Sequence, residues 1–200
     1  MSALLVHGVL AYGRHVHAAV MQSAAADALA CREQGFDYSL TWADINGVDR
    51  ARNTMVLRAL EMGARFLLMQ DADVHPSEPR GGLVSLLAAM SAHQCAVVGA
   101  AVPTRRGDIN AEPATPGSVY PGVVGTGYML LDLHRLRDLP RPWFTIETTE
   151  DGCSMAVGED VGFCRKVAEH GQEVMVDFKT PMVHYAEIPL STKAIIDGRR

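Results

Sequence analysis

Asp71 and Asp73 flank a single alanine, Ala72, at the end of the apolar run Arg-Phe-Leu-Leu-Met-Gln over residues 65–70. Two carboxylates at this spacing share a turn and can converge on one hard cation that prefers oxygen ligands. The same ion can bridge the two phosphates of a nucleotide sugar and stabilise charge on a leaving diphosphate, the Lewis-acid role of a catalytic metal. A solvated turn also favours aspartate, so the spacing by itself is a weak signal. Its position strengthens it, because ligands of open α/β sheets collect beyond the carboxyl ends of the strands.

Glu159 and Asp160 follow Gly158 at the start of a helical period. The helix dipole favours acids in a first turn whether or not they react. A carboxylate held at the rim of a sheet can also take the proton of an acceptor hydroxyl, and Asp160 is the candidate base, with Glu159 as its substitute. His184 stands in the hydrophobic segment Pro-Met-Val-His-Tyr, where a hydrogen-bonded core histidine is the commoner outcome than a ligand. His75, two residues beyond Asp73, competes with it, whereas His15 and His17 at a helix start diverge and do not form a metal pair. Arg52 and Asn53, in the first turn of their helix, offer a guanidinium and free N–H groups to a phosphate or base, against the plainer reading of a solvated arginine. Gly125-Thr126-Gly127 inside a strand marks either close approach of a ligand or a bulge. Trp143 and Phe144 suit a sugar face or the core equally.

Short apolar runs alternate with helical periods, the pattern of strand–helix–strand units around a mostly parallel sheet. Strands are expected at residues 3–10, 37–42, 65–70, 96–102, 123–131, 173–177 and 182–185. Helices are expected at 15–34, 50–62, 82–93 and 159–170, with Val56, Leu57 and Leu60 sharing the apolar face of the second. Residues 103–122, rich in proline and glycine, are expected to form a flexible loop, a length that usually signals function or disorder. One domain over residues 1–200 is expected, with a mobile tail at 187–200.

Composition narrows the class. Of 200 residues, 48% are hydrophobic and 20% charged, which suits a soluble globular chain and excludes the signature of disorder. The net charge of −5 without a basic stripe argues against nucleic acid as a partner. Four scattered cysteines with no C-x-x-C pair are expected to be reduced thiols. No apolar stretch approaches the roughly 20 residues of a membrane span, and the N-terminal run, broken by His7 and Gly8, does not suit a signal peptide. A cytoplasmic location is the expectation.

In order along the chain, Ala11-Tyr12-Gly13-Arg14, Ala51-Arg52-Asn53, residues 66–74, residues 125–129, the Glu-Asp-x-x-Phe-Cys segment at 159–164 and Val183-His184 resemble the GT-A glycosyltransferases, in particular compact family-2-like enzymes of bacteria and phages. The resemblance spans nearly the whole chain. It implies an α/β, Rossmann-like GT-A fold that binds a nucleotide-diphosphate sugar with Mn²⁺ or Mg²⁺ and transfers the sugar to an acceptor that it does not identify, a glycan, a protein or a small molecule. Asp73 would be the principal metal ligand and His184 the second, with Asp71 nearer the donor's ribose or sugar. Asp160 would correspond to the base of inverting members. Arg14, Arg52, Asn53, Asp71, Ala72, Gly127 and Arg105 would form the donor site, the loop at Arg105 and Arg106 lying over donor or acceptor, and the segment after His184 would close as a lid. A sugar-phosphate nucleotidyltransferase is the alternative enzyme, although the stretch from Gly8 to Arg14 is only a faint version of its glycine-rich basic loop. A non-catalytic nucleotide-sugar-binding module is the alternative outside enzymes.

Overall fold

The computed structural model describes residues 2–11, 13, 15–104, 109–112 and 118–185. Strand β1 (Leu4–Leu10) leads through α1 (Ala18–Glu33) to β2 (Asp37–Ala43), and α2 (Val48–Glu61) leads to β3 (Phe66–Asp71). A short β4 (Val74–Pro76) precedes α3 (Gly82–His93) and β5 (Val97–Ala100). Next come β6 (Ala111–Glu112), β7 (Val119–Pro121), β8 (Val123–Val124) and β9 (Tyr128–Asp132). A hairpin of β10 (Glu147–Thr148) and β11 (Met155–Val157) opens directly into α4 (Glu159–Glu169), followed by β12 (Val174–Asp177) and β13 (Met182–His184).

Seven strands form the central sheet in the order β2-β1-β3-β9-β5-β12-β7. The β1–β2, β1–β3 and β5–β12 pairs are parallel, whereas β9 runs antiparallel to both β3 and β5, and β7 to β12. Helices cover both faces. Continuous apolar strands follow from this, since a strand covered on both sides has no face to give to water. Leu67 and Met69 of β3 enter the layer shared with Met55 of α2 and Phe163 of α4, while Leu68 enters the layer shared with Leu83 and Leu86 of α3.

Several expectations are corrected. The segment 123–131 is two strands, β8 and β9, because Gly125-Thr126-Gly127 leaves the ladder. The expected loop 103–122 contributes β6 and the sheet's edge strand β7, while residues 105–108 and 113–117, and the tail from 186 onward, lie outside the described residues. Strands β4, β10 and β11 were not expected from the apolar pattern. On α2 the buried face runs through Ala51, Met55, Val56 and Ala59, leaving Leu57 and Leu60 more than a third exposed. The cysteines form no disulfide. No helix among the described residues is long and apolar enough to cross a membrane.

A polar cluster interrupts the apolar layer between the sheet and α1. His7, Asp27 and Gln70 are all fully buried there. Tyr128 Oη donates to Asp27 Oδ2 at 3.1 Å, and His7 Nδ1 lies 3.6 Å from the same oxygen. Burial lowers the His7 imidazole to about 4, against a weaker opposing hydrogen bond donated to Gln70. Burial also raises the Asp27 carboxyl to about 7, which hydrogen bonds from Tyr128 and the Leu83 backbone only partly oppose. The pair therefore carries one proton, on Asp27, between about pH 4 and 6.5, and the unfolded chain also carries one, on His7. The two contributions to the pH dependence of stability cancel in that window. Asp27→Asn removes the cancellation: the folded state keeps His7 neutral while the unfolded state protonates it below 6.5. The variant should lose stability on acidification from about pH 6.5 to 4, by on the order of 3 kcal/mol, where the parent chain shows little change from this pair. Denaturant unfolding across that range checks it, and parallel pH profiles for the two proteins would refute it.

Candidate active site

The acids leave β3 together and are separated by what they meet next. The backbone N–H of Asp71 donates to the Gly127 carbonyl at 3.0 Å, and that of His17 to the Ala72 carbonyl at 2.8 Å. Beyond the turn, β4 pairs antiparallel with β13 so that His184 stands opposite Val74, and the Tyr185 N–H donates to the Asp73 carbonyl. This ribbon places His184 Nε2 3.4 Å from Asp73 Oδ2. His184 Nδ1 lies 2.8 Å from the Pro103 carbonyl, which can only accept, so Nδ1 carries the proton and donates. In the neutral ring Nε2 is then a lone pair facing a carboxylate oxygen. A proton or a cation between the two relieves that repulsion.

The donor set suits a divalent ion. A carbonyl orienting the far nitrogen of a histidine is the usual support for a metal-ligating imidazole, and two ligands at about 2.1 Å from one ion span a gap of this size. Among the described residues no group of three or more His, Cys, Asp or Glu could hold a metal. Mg²⁺-like ions are typically bound by one or two protein groups, with phosphate and water completing the shell, and a nitrogen ligand shifts the preference towards Mn²⁺.

Asp71 faces a different partner. Arg52, only 3% exposed, donates from Nη2 to Asp71 Oδ1 at 3.1 Å and from Nε to Glu159 Oε1 at 3.2 Å. Its Nη1 reaches the Thr126 carbonyl at 3.4 Å, and the Thr126 hydroxyl also donates to Glu159 Oε1 at 3.4 Å. The guanidinium offered to a ligand by the sequence is thus bonded to two carboxylates, one of them Glu159, the expected substitute for the base. Asp160 remains. Its Oδ1 accepts from the Val161 N–H at 2.8 Å and its Oδ2 from Asn110 Nδ2 at 3.3 Å. Two glycines make the space: a Cβ on Gly158 would lie 2.8 Å from Asp160 Oδ1, and one on Gly125 1.9 Å from Asn110 Nδ2.

Asp71, Asn110, Gly127, Glu159, Asp160 and His184 line one cleft of about 320 Å³. A second cavity of about 630 Å³, lined by Ala11, Val16, Trp42, Asp44, Ile45 and Arg58, opens at the carboxyl ends of β1 and β2. Asn110 was missed by sequence reasoning. Its role depends on a bridge between segments 109–112 and 123–125, which no local pattern announces.

Other candidates resolve as framework. Asn53 spends its whole hydrogen-bonding capacity internally: Nδ2 donates to the Asp49 and Phe144 carbonyls, and Oδ1 accepts from the Trp143 and Phe144 N–H groups. Trp143 and Phe144 are buried in the core rather than offered to a sugar. Both ring nitrogens of His75 are engaged, with the Pro76 carbonyl and the Tyr185 hydroxyl. Arg14 and Arg105 lie outside the described residues.

No protein-family model matches the sequence, and no curated protein is similar to it. Solved structures do match. Protein A197 from STIV is 17% identical, with 92% of this chain and 86% of that one covered at a TM-score of 0.65. UDP-glucose pyrophosphorylase, as the apo protein and complexed with UDP-glucose, is 10% and 11% identical over 91% of this chain and 92% of that one, at a TM-score of 0.53 for each. At these identities the likeness is one of fold, and the fold is the α/β, GT-A-like arrangement of a mostly parallel sheet flanked by helices.

Removing the Asn53 amide should free the 143–144 segment. Asn53→Ala leaves the Trp143 and Phe144 N–H groups without their acceptor, an expected loss of about 3 kcal/mol of unfolding free energy. An unchanged denaturation midpoint would show that this side chain does not hold the segment.

Proposed function

We propose that the chain is a metal-dependent glycosyltransferase that moves a sugar from a nucleotide-diphosphate donor to an acceptor hydroxyl with inversion. The observation that carries this reading is the placing of His184, which lies 3.4 Å from Asp73, and of Asp160, beside Asn110, on one cleft at the carboxyl end of the sheet. Asp73 and His184 would hold Mn²⁺ or Mg²⁺, which supplies charge neutralisation to the departing diphosphate. Asp71 keeps Oδ2 on the side of Gly127, where the missing side chain leaves room for a ribose or sugar hydroxyl. Asp160 Oδ2 receives the proton of the acceptor hydroxyl while its oxygen bonds to the anomeric carbon and the bond from that carbon to the diphosphate breaks. Arg14 and Arg105 are assigned to the donor on the resemblance alone. The reading places the enzyme in the cytoplasm, with no nucleic-acid partner.

Three variants separate the roles. Calorimetry with nucleoside diphosphates should detect binding in Mn²⁺ and lose it with chelator or in Asp73→Ala, with His184→Ala weakened by about tenfold or more. Asp160→Asn should keep that binding and lose at least about a hundredfold in release of nucleoside diphosphate from a nucleotide sugar. Binding indifferent to metal would defeat the assignment of Asp73, and full turnover in Asp160→Asn would defeat that of the base. Formation of pyrophosphate from a nucleoside triphosphate and a sugar 1-phosphate would mark a nucleotidyltransferase instead.

A further inference from the structure

Gln70 immediately precedes the Asp71-Ala72-Asp73 turn and is fully buried beneath it. Its Nε2 donates to the Val74 carbonyl at 2.6 Å, so one side chain joins the residue before the two acids to the residue after them. A carbonyl only accepts, and this fixes the amide: Oε1 is presented to His7, whose Nε2 lies 2.7 Å away and therefore carries the proton. His7 is anchored in turn. It sits in the middle of β1, between β2 and β3, with Tyr38 Oη 2.9 Å from Nδ1 and that hydroxyl 3.1 Å from the Ala24 carbonyl.

A buried polar chain is harder to justify than apolar packing. Leu5, Leu68 and Leu130 fill the rest of this layer, and a larger apolar patch would join the strands without the risk of unsatisfied groups. What an apolar side chain cannot do is bond to the carbonyl on the far side of the turn. We propose that Gln70, oriented by His7, is a brace that sets the positions of Asp71 and Asp73 and thereby the affinity for the divalent cation. Both are positioning residues, and the inference rests on the reading of Asp73 and His184 as the cation site. The physical gain is preorganisation: a turn already closed by the Gln70 amide does not have to be ordered when the ion arrives, and site geometry is held to within about 0.5 Å only by such supporting contacts.

The test uses the full chain and Mn²⁺ alone, followed by the electron paramagnetic resonance signal of the free ion up to millimolar concentration. Gln70→Leu removes both bonds. Gln70→Glu keeps the shape and the acceptor for His7 but loses the donor to Val74, and it serves if the leucine variant does not fold. Each should weaken Mn²⁺ binding by about tenfold or more. Met90→Ala, which removes apolar volume from the same buried layer beside Phe36 and Phe66, away from the turn and from the His7–Gln70 bond, should lower the unfolding midpoint and leave Mn²⁺ affinity unchanged. Wild-type affinity in folded Gln70→Leu and Gln70→Glu overturns the brace, and so does an equal loss in Met90→Ala, which would make the effect one of general stability. A wild-type chain that binds no Mn²⁺ overturns the cation site itself, a result distinct from either.

Discussion

The guanidinium of Arg52 is almost wholly out of water and meets carboxylates that are distant in sequence on either side of it, Asp71 at the end of β3 and Glu159 at the start of α4. A buried cation with two acids and a carbonyl around it is tolerable only as a complete set, and removing one member costs about 3–5 kcal/mol because the others keep their charge without a partner. This one cluster ties the end of β3, from which the Asp73 turn leaves, to the start of the helix that carries Asp160. It also sorts the acids. In each pair one carboxylate, Asp71 or Glu159, is held by Arg52, whereas Asp73 lies beside His184 and Asp160 beside Asn110.

The sheet order supplies the remaining geometry. Because β9 runs against its neighbours β3 and β5, the segment that enters it, Thr126-Gly127, lies at the same end as the segments leaving those strands. Backbone carbonyls of Thr126 and Gly127 can therefore meet Arg52 and Asp71, and the absence of a side chain at Gly127 keeps the cleft open beside Asp71 Oδ2. The β4–β13 ribbon does the equivalent for His184, whose position follows from antiparallel register rather than from its neighbours in sequence.

What could be read from the sequence follows from the range of the forces involved. The strands of the parallel core were visible because burial on both faces requires unbroken apolar runs, and α4 because Cys164 and Val167 recur at helical spacing. Strands β4, β10 and β11, of two or three residues each, are too short to show a period and exist through pairing alone. The Asp71–Asp73 turn was legible through its place after a buried run, while the partners that separate its two acids, Arg52 and His184, arrive from distant segments. Arg52 and Asn53 were not legible in their true surroundings. Both residue types suit a ligand as well as an internal partner, and only the arrival of Glu159 and of the 143–144 backbone decides between them. His7 looked like an interruption of an apolar strand, and its bond to Gln70 crosses two strands that are 63 residues apart.

The charge around the cleft carries one more consequence. Among the described residues it is bordered by Asp71, Glu159 and Asp160, with Asp73 beside His184, and the one arginine that lines it, Arg52, is already bonded to two of these acids. A diphosphate entering such a space meets repulsion on the order of 3 kcal/mol from each carboxylate about 5 Å away, at an effective dielectric constant of about 20. A divalent cation seated between Asp73 and His184 reverses the sign of the nearest interaction, while two protein ligands alone hold it weakly. On the proposed reading, cation and diphosphate would each supply what the other lacks, and their binding in this cleft would be coupled.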